Sequence, residues 1–423
     1  MTFTRAVLTL SFVAGTSLAW SAPAGEASWP EFRGPTRQGT SDAVGLPVKW
    51  STTENIAWKA DLPGRAWSSP VVGDGVVYLT NAVGAKDSTD PHDTFSLRVM
   101  ALNATDGKTI WDREVFVIKD PHTFGIHGKN SYASPTPVLE GDRIYAHFGH
   151  FGTACLNTKG DVQWKNQQVT YSPVHGGGAC PVLVDDLLIF PADAASNPFV
   201  VALDKRTGKM KWKTDRTAGA KKTFSFSTPL VIEVKGEKQL VSPGSNVVSA
   251  LNPKDGSEIW KVSYEGYSVV PRPIYAQGLV FLSTGYDRPT GLAIRPDGKG
   301  DVTGTHVVWR MEKGAPLTPS MLAVGEDLFS VADNGIVSCF EAKTGKLFWQ
   351  ERVARATSAS PLYADGKIYI QDELGNGYVI KASRQLELLS TNALGQKSLA
   401  SYAVNGRQLL IRTQNTLFCV GTP

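Results

Sequence analysis

Five of the seven histidines in this 423-residue chain lie between positions 122 and 175: His122, His127, His147, His150 and His175. Histidine is the commonest metal ligand and a ready acid or base near neutral pH, so this stretch is the first place to look for chemistry. The spacing matches no zinc signature, and a hydrogen-bonded loop role explains these residues more simply. Asp297-Gly-Lys-Gly-Asp301 sets two carboxylates in a glycine-rich loop, but a calcium loop offers more acidic positions. Arg272, Arg288 and Arg295 could grip a carboxylate by paired hydrogen bonds; loop solubility and hairpin bonding account for them more simply. The four cysteines, Cys155, Cys180, Cys339 and Cys419, include no adjacent pair and no C-x-x-C-H, so no c-type haem attachment is encoded. Three of them sit in the small-residue strand of a repeat and read as buried small hydrophobes.

Those residues hang on a repeated element. Met100 to Trp111 reads as a strand, a tight turn and the start of a second strand, with a Gly four residues before the Trp. The same spacing returns at Gly160 and Trp164, Gly208 and Trp212, Gly256 and Trp260, and Gly345 and Trp349. Trp309 ends a copy with a stretched turn, and Trp58 stands in a similar strand without its turn. Gly supplies the positive-φ backbone that a tight hairpin needs, and the Trp offers a large apolar plate to a neighbouring sheet. The residue six before the Gly is small: Ala101, Ala202, Ala250 and Cys339. These mark close approach between sheets.

Composition agrees with an all-β chain: 42% hydrophobic, 19% charged and 41 glycines. A net charge of +4, dispersed along the chain, excludes nucleic acid as the expected partner. Residues 1–24 read as a secretory signal, with Arg5, an apolar run from Ala6 to Ala19, and Ala22-Pro23-Ala24 as the cleavage site. No later segment is long and apolar enough to cross a bilayer. Residues 25–54 form a Pro/Gly-rich leader, expected to lie extended across the surface. Residues 55–423 form one domain.

Each unit opens on a Pro and a short apolar strand and continues as four alternating strands. First strands fall near residues 68, 135, 179, 227, 271, 319, 359 and 400, which makes eight units. Leu389 replaces Trp in the seventh. The eighth supplies only three strands, and residues 55–62 provide the fourth. The expected fold is therefore an all-β, eight-bladed β-propeller of four-stranded antiparallel blades, closed by an N-terminal strand so that no sheet edge is left open.

Ala-Leu-Asp-Lys-Arg-Thr-Gly-Lys-Met-Lys-Trp (202–212) and Cys-Phe-Glu-Ala-Lys-Thr-Gly-Lys-Leu-Phe-Trp (339–349) resemble the pyrroloquinoline-quinone-like (PQQ-like) repeat, across about residues 50 to 421. With His127-Gly-Lys-Asn-Ser-Tyr132, the chain is similar to BamB-like exported propellers of planctomycete-type bacteria. The resemblance implies either a non-catalytic binding or scaffold module or a PQQ- and calcium-dependent quinoprotein dehydrogenase. Dehydrogenases of the family are longer and carry a vicinal Cys-Cys against the quinone, which this chain lacks. The expectation is thus no cofactor, no metal and no catalytic residue. Instead we expect a monomer, exported to the periplasm or cell exterior, that binds an envelope protein or glycan; a purely structural or carbohydrate-binding module is the third option.

Propeller geometry places loops joining strands one to two and three to four on one face, and these read as tight. The remaining loops, on the other face, hold the insertions 81–96, 116–132, 165–177, 191–198 and 284–306. Function rides on long loops held by a rigid scaffold. The expected binding residues on this insertion face are Trp67, His122, His127, Lys129, Asn130, Tyr132, His175 and Arg288.

Overall fold

The computed structural model describes residues 29–84, 94–119, 125–216, 219 and 221–422. The expected signal segment, and His122, lie outside the described residues. Eight sheets follow one another along the chain, each with four antiparallel strands in sequence order. Blade 1, for example, runs Val71–Gly73, Val76–Val83, Phe95–Asn103 and Thr109–Ile118. The last blade takes Ala403–Asn405, Gln408–Arg412 and Thr416–Val420 from the C-terminal end, and Ile56–Asp61 completes it. Trp58 pairs with Cys419 in that antiparallel closure. The ring is an eight-bladed propeller.

The register explains the small residues. Ala101 lies directly across from Trp111, Ala202 from Trp212, Ala250 from Trp260 and Cys339 from Trp349. The small side chain sits beside the indole within its own blade. The indole then covers the turn Gly of the next blade. Gly208 (φ +70°) is an example: a Cβ there would lie 2.5 Å from the Trp164 ring. Trp164 Nε1 also donates to Lys205 O at 3.0 Å. Trp58, Trp111, Trp212, Trp309 and Trp349 each donate to a carbonyl of the following blade at 2.9–3.1 Å. The Gly-to-Trp spacing thus serves two interfaces: each Gly receives the preceding blade's Trp.

Trp260 is the exception, because the insertion 284–306 is divided. Its first part, 284–290, joins the second and third strands of blade 5 on the insertion face. Its second part, 295–306, stretches the hairpin between Gly291–Ile294 and Val307–Met311 on the opposite face. Gly300–Asp301 there pairs in parallel with the edge of blade 4 at Trp260 and Lys261. Trp260 is fully buried and donates to Gln239 Oε1. The expectation that every three-to-four loop is tight, and that all of 284–306 lies on the insertion face, is corrected accordingly. Asp301 extends the blade 4 edge, Asp297 Oδ1 lies 3.6 Å from His306 Nε2, and Arg295 donates to Thr305 O within its hairpin.

The leader does not lie across the surface. Trp29, Glu31 and Arg33 are buried. Trp29 exchanges backbone bonds with Val72, Pro30 O accepts from Leu139, and Gly39 O accepts from Tyr363. Arg37 donates to Leu183 O, and Gln38 Oε1 accepts from Tyr275 N. These partners are the innermost strands of blades 1, 2, 7, 3 and 5, close to their one-to-two turns. Residues 29–41 therefore plug the central channel at the tight-turn end. Beyond the plug, Leu46 and Trp50 fill the seam between blades 7 and 8, where blade 7 has no Trp of its own. Trp50 lies against Gly377, and its N–H donates to Asn392 Oδ1 at 2.9 Å.

Candidate functional site

In seven of the eight blades the residue just before the inner strand carries a small polar side chain facing the channel. Its hydroxyl or thiol accepts the backbone N–H of the preceding blade's equivalent. Ser69 N–H donates to Thr136 Oγ1, Thr136 N–H to Cys180 Sγ, and Cys180 N–H to Thr228 Oγ1, at 2.9–3.1 Å. Arg272 N–H donates to Ser320 Oγ, then Ser320 to Ser360, Ser360 to Ser401 and Ser401 back to Ser69, at 2.9–3.2 Å. Seven of eight joints are thus laced by one belt. At the eighth, between Thr228 and Arg272, an arginine replaces the hydroxyl.

That arginine holds the plug. Arg272 is buried and donates from Nε to Pro229 O (3.0 Å), from Nη1 to Phe32 O (2.7 Å) and from Nη2 to Glu31 Oε2 (3.2 Å). Glu31 Oε1 takes Arg37 Nε at 2.8 Å. Arg272 does grip a carboxylate, and it is the chain's own. Arg33, also buried, has its pKa pulled down to about 9, by burial first and by Arg272 second.

Above the plug the channel opens to the insertion face as a cavity of about 310 Å³ whose lining includes Phe32, the belt hydroxyls and a mouth of aromatic side chains. The rings of His127, His175, Phe224, Tyr267 and Tyr286 follow one another at 5.5, 5.4, 5.6 and 6.3 Å. Asn130 Nδ2 donates to His175 O (2.8 Å) and Gly177 O (3.1 Å), tying two insertions together. Burial and then the neighbouring His127 lower the pKa of His175. Lys129 reaches across the mouth to Glu373 of blade 7, with Nζ 2.6 Å from Oε1. Burial alone would raise the Glu373 pKa; hydrogen bonds from Lys129 and Ser358 outweigh it and hold it low. Trp67 is buried at the mouth, with Arg65 and Lys397 set over its ring at 5.5 and 5.9 Å.

Of the residues named from sequence, Trp67, His127, Lys129, Asn130 and His175 line this cavity. Tyr132 packs half-buried between Phe95 and Phe151. Arg288 lies in an adjoining cleft shared with Tyr267 and Tyr286. Among the other histidines, His147 is buried with its ring 4.2 Å from Phe190 and Nδ1 2.8 Å from Thr153 Oγ1. Sequence reasoning missed Phe224, Phe226, Tyr267, Tyr286 and the belt. The belt had a signal: a small polar residue precedes the blade-opening Pro at Ser69, Thr136, Cys180, Thr228 and Ser360.

The family model described as outer membrane protein assembly factor BamB matches residues 38–174, 96–300 and 298–388. The chain belongs to this PQQ-like repeat family. BamB of Yersinia pestis is 26% identical over 252 residues, covering 54% of this chain and 59% of its own length. The quinohemoprotein alcohol dehydrogenase ADH IIB of Pseudomonas putida is 24% identical over 379 residues, covering 78% of this chain and 49% of that enzyme. The propeller thus spans roughly half to three-fifths of these relatives. In fold, it is similar to BamB from Moraxella catarrhalis (TM-score 0.60, 13% identity, 87% of this chain and 97% of that one).

A quinone cofactor anchored by calcium needs oxygen anions for the metal and cations for the quinone's carboxylates. The described cavity lining contains no Asp or Glu, and its one permanent cation, Lys129, is already committed to Glu373. Among the described residues, no group of three or more His, Cys, Asp or Glu converges as a metal would need. The four cysteines are separate, free and buried. These residues do not fit the cofactor.

Proposed function

We propose that this chain is an exported, non-catalytic binding or scaffold module of the cell envelope, holding a protein or glycan partner at its insertion-face cavity. The cavity carries the reading: it is walled by aromatic rings, floored by hydroxyls and the leader, and its polar mouth is pinned by the Lys129–Glu373 pair. Such a lining recognises shape and neutral polar groups. Membership of a family described by an outer membrane assembly factor supports an envelope location, and residues 1–24 supply the expected export signal. No helix among the described residues is long and apolar enough to cross a membrane.

The test compares capture of envelope protein and glycan fractions by the mature chain and by a variant carrying His127→Ala and Phe224→Ala, with melting temperature as control. Capture lost at unchanged melting temperature supports the reading. The alternative, a PQQ- and calcium-dependent dehydrogenase, is tested by reconstitution. One-to-one quinone binding with calcium-dependent dye reduction would establish it and overturn the non-catalytic reading.

A further inference from the structure

We propose that the insertion-face cavity takes the terminal ring of an uncharged oligosaccharide, inserted end-on. This rests on the cavity being the binding site, and it adds the ligand class and its direction of entry.

Four observations converge. First, the cavity is blind. The leader closes the channel below Phe32 through Arg272 and Glu31, so a polymer cannot thread through and must enter by an end. Second, the walls suit a ring with apolar C–H faces. Phe224 stands edge-on to His175 and Tyr267, with interplanar angles of 88° and 79°, so neighbouring rings turn different faces to the space between them. Aromatic plates of this kind bury apolar surface while tolerating a polar rim. Third, the deep polar groups are hydroxyls with a particular vacancy. The side chains of Ser69, Ser320, Ser360 and Ser401 each accept a backbone N–H, which leaves the hydroxyl proton to donate, whereas Thr136 and Thr228 bond the Cys180 thiol. A ligand rich in oxygen acceptors satisfies those donors. An inserted apolar side chain of a peptide would bury them without acceptors, which is costly. Fourth, the lining is neutral overall. It holds no carboxylate, and Lys129 is spent on Glu373. Arg65, Lys397 and Lys222 stack on the rings of Trp67 and Tyr267 and are not among the lining residues, so a charged sugar ring at the floor would lose water without gaining a counter-ion there. At about 310 Å³ the cavity is at the small end of ligand sites, fitting one ring rather than a chain.

The test uses the mature chain and four probes: maltotetraose, cellotetraose, chitotetraose and tetragalacturonate. Saturation-transfer NMR reads which sugar protons touch the protein, and titration gives affinity. We expect at least one neutral tetrasaccharide to bind, with saturation concentrated on a single terminal ring. Tetragalacturonate should bind at least tenfold more weakly. Phe224→Ala and Tyr286→Ala should each weaken the neutral sugar at least tenfold; if either fails to fold, the saturation map of the unaltered chain decides. No binding by any neutral probe, even saturation along all four rings, or equal affinity for the uronate would overturn the inference. Envelope capture that depends on the insertion face while all sugars fail would sink the sugar and leave the binding role. Sugar binding with capture indifferent to that face would do the reverse.

Discussion

Arg272→Met should loosen the plug while leaving the blades in place. The side chain is buried, and its three donors serve three acceptors from two segments: Pro229 O, Phe32 O and Glu31 Oε2. Methionine keeps much of the volume and removes every donor. Glu31 keeps Arg37 on one oxygen, but its other oxygen and Phe32 O lose their partner. Breaking a buried ion pair from one side costs about 3–5 kcal/mol when the remaining charge is left uncompensated; because Glu31 keeps Arg37, the lower end of about 3 kcal/mol applies. At 1.4 kcal/mol per decade, the open form of the leader should become at least on the order of a hundredfold more populated.

Trypsin reports this directly, because Arg33 and Arg37 lie inside the plug. Cleavage that waits on rapid local opening tracks the population of the open form. The rate of cleavage after Arg33 and Arg37, followed by mass spectrometry, should therefore rise about a hundredfold or more in the variant. A cycle with Glu31→Gln adds a second check, since contacting residues couple by about 0.5–3 kcal/mol. The double variant should open less than the two single effects combined. Cleavage within twofold of the unaltered chain, or strict additivity in the cycle, would refute the pairing as the lock.

Trp58→Ala removes a buried indole that bridges blade 8 to blade 1, and should cost about 3–5 kcal/mol in a denaturant titration. A chain starting after Leu62 should expose the blade 8 edge and aggregate in size-exclusion chromatography; a monodisperse truncation would contradict the closure. His147 has its pKa pulled down to about 3, chiefly by burial and then by His150, whereas in an unfolded chain it titrates near 6.5. Between those values the unfolded state holds more protons, so stability is lost as pH falls, by up to about 1.4 kcal/mol per pH unit. His147→Gln should flatten that slope in urea titrations between pH 4.5 and 7, and an unchanged slope would contradict it. N-terminal sequencing of the secreted protein should begin near residue 25; a mature chain starting at Met1 would refute cleavage.

The propeller was legible because its interfaces repeat. A Gly four residues before a Trp marks both a hairpin and the plate that docks on the next blade, and Trp58 without its turn announced the closing strand. The leader was not legible, because the contacts that seat it in the ring are with residues far along the chain. Glu31 meets Arg272 and Gln38 meets Tyr275, separations that no local periodicity encodes. The division of 284–306 was hidden for a related reason. Length identifies an insertion, but only the positions of the flanking strands assign it to a face.

The site was half legible, and the reason lies in symmetry. His127, Lys129, Asn130 and His175 stood out because they share long insertions. Phe224 and Tyr267 lie in different blade-linking segments and Tyr286 in the two-to-three loop of blade 5, and only the folded ring brings them to one mouth. Arg272 was noticed and a grip on a carboxylate considered, but loop solubility and hairpin bonding were preferred. What would have corrected this is its position: it occupies the pre-proline place that Ser69, Thr136, Cys180, Thr228 and Ser360 fill with small polar side chains. A large charged residue at a point of quasi-symmetry cannot lace its joint as the others do, so it must answer to something that breaks the symmetry. Among the described residues, the non-repeating segment beneath the belt is the leader, and Glu31 is the carboxylate it brings. The same asymmetry turns a through-channel into a blind cavity, so one substitution in the repeat fixes the face from which any ligand enters.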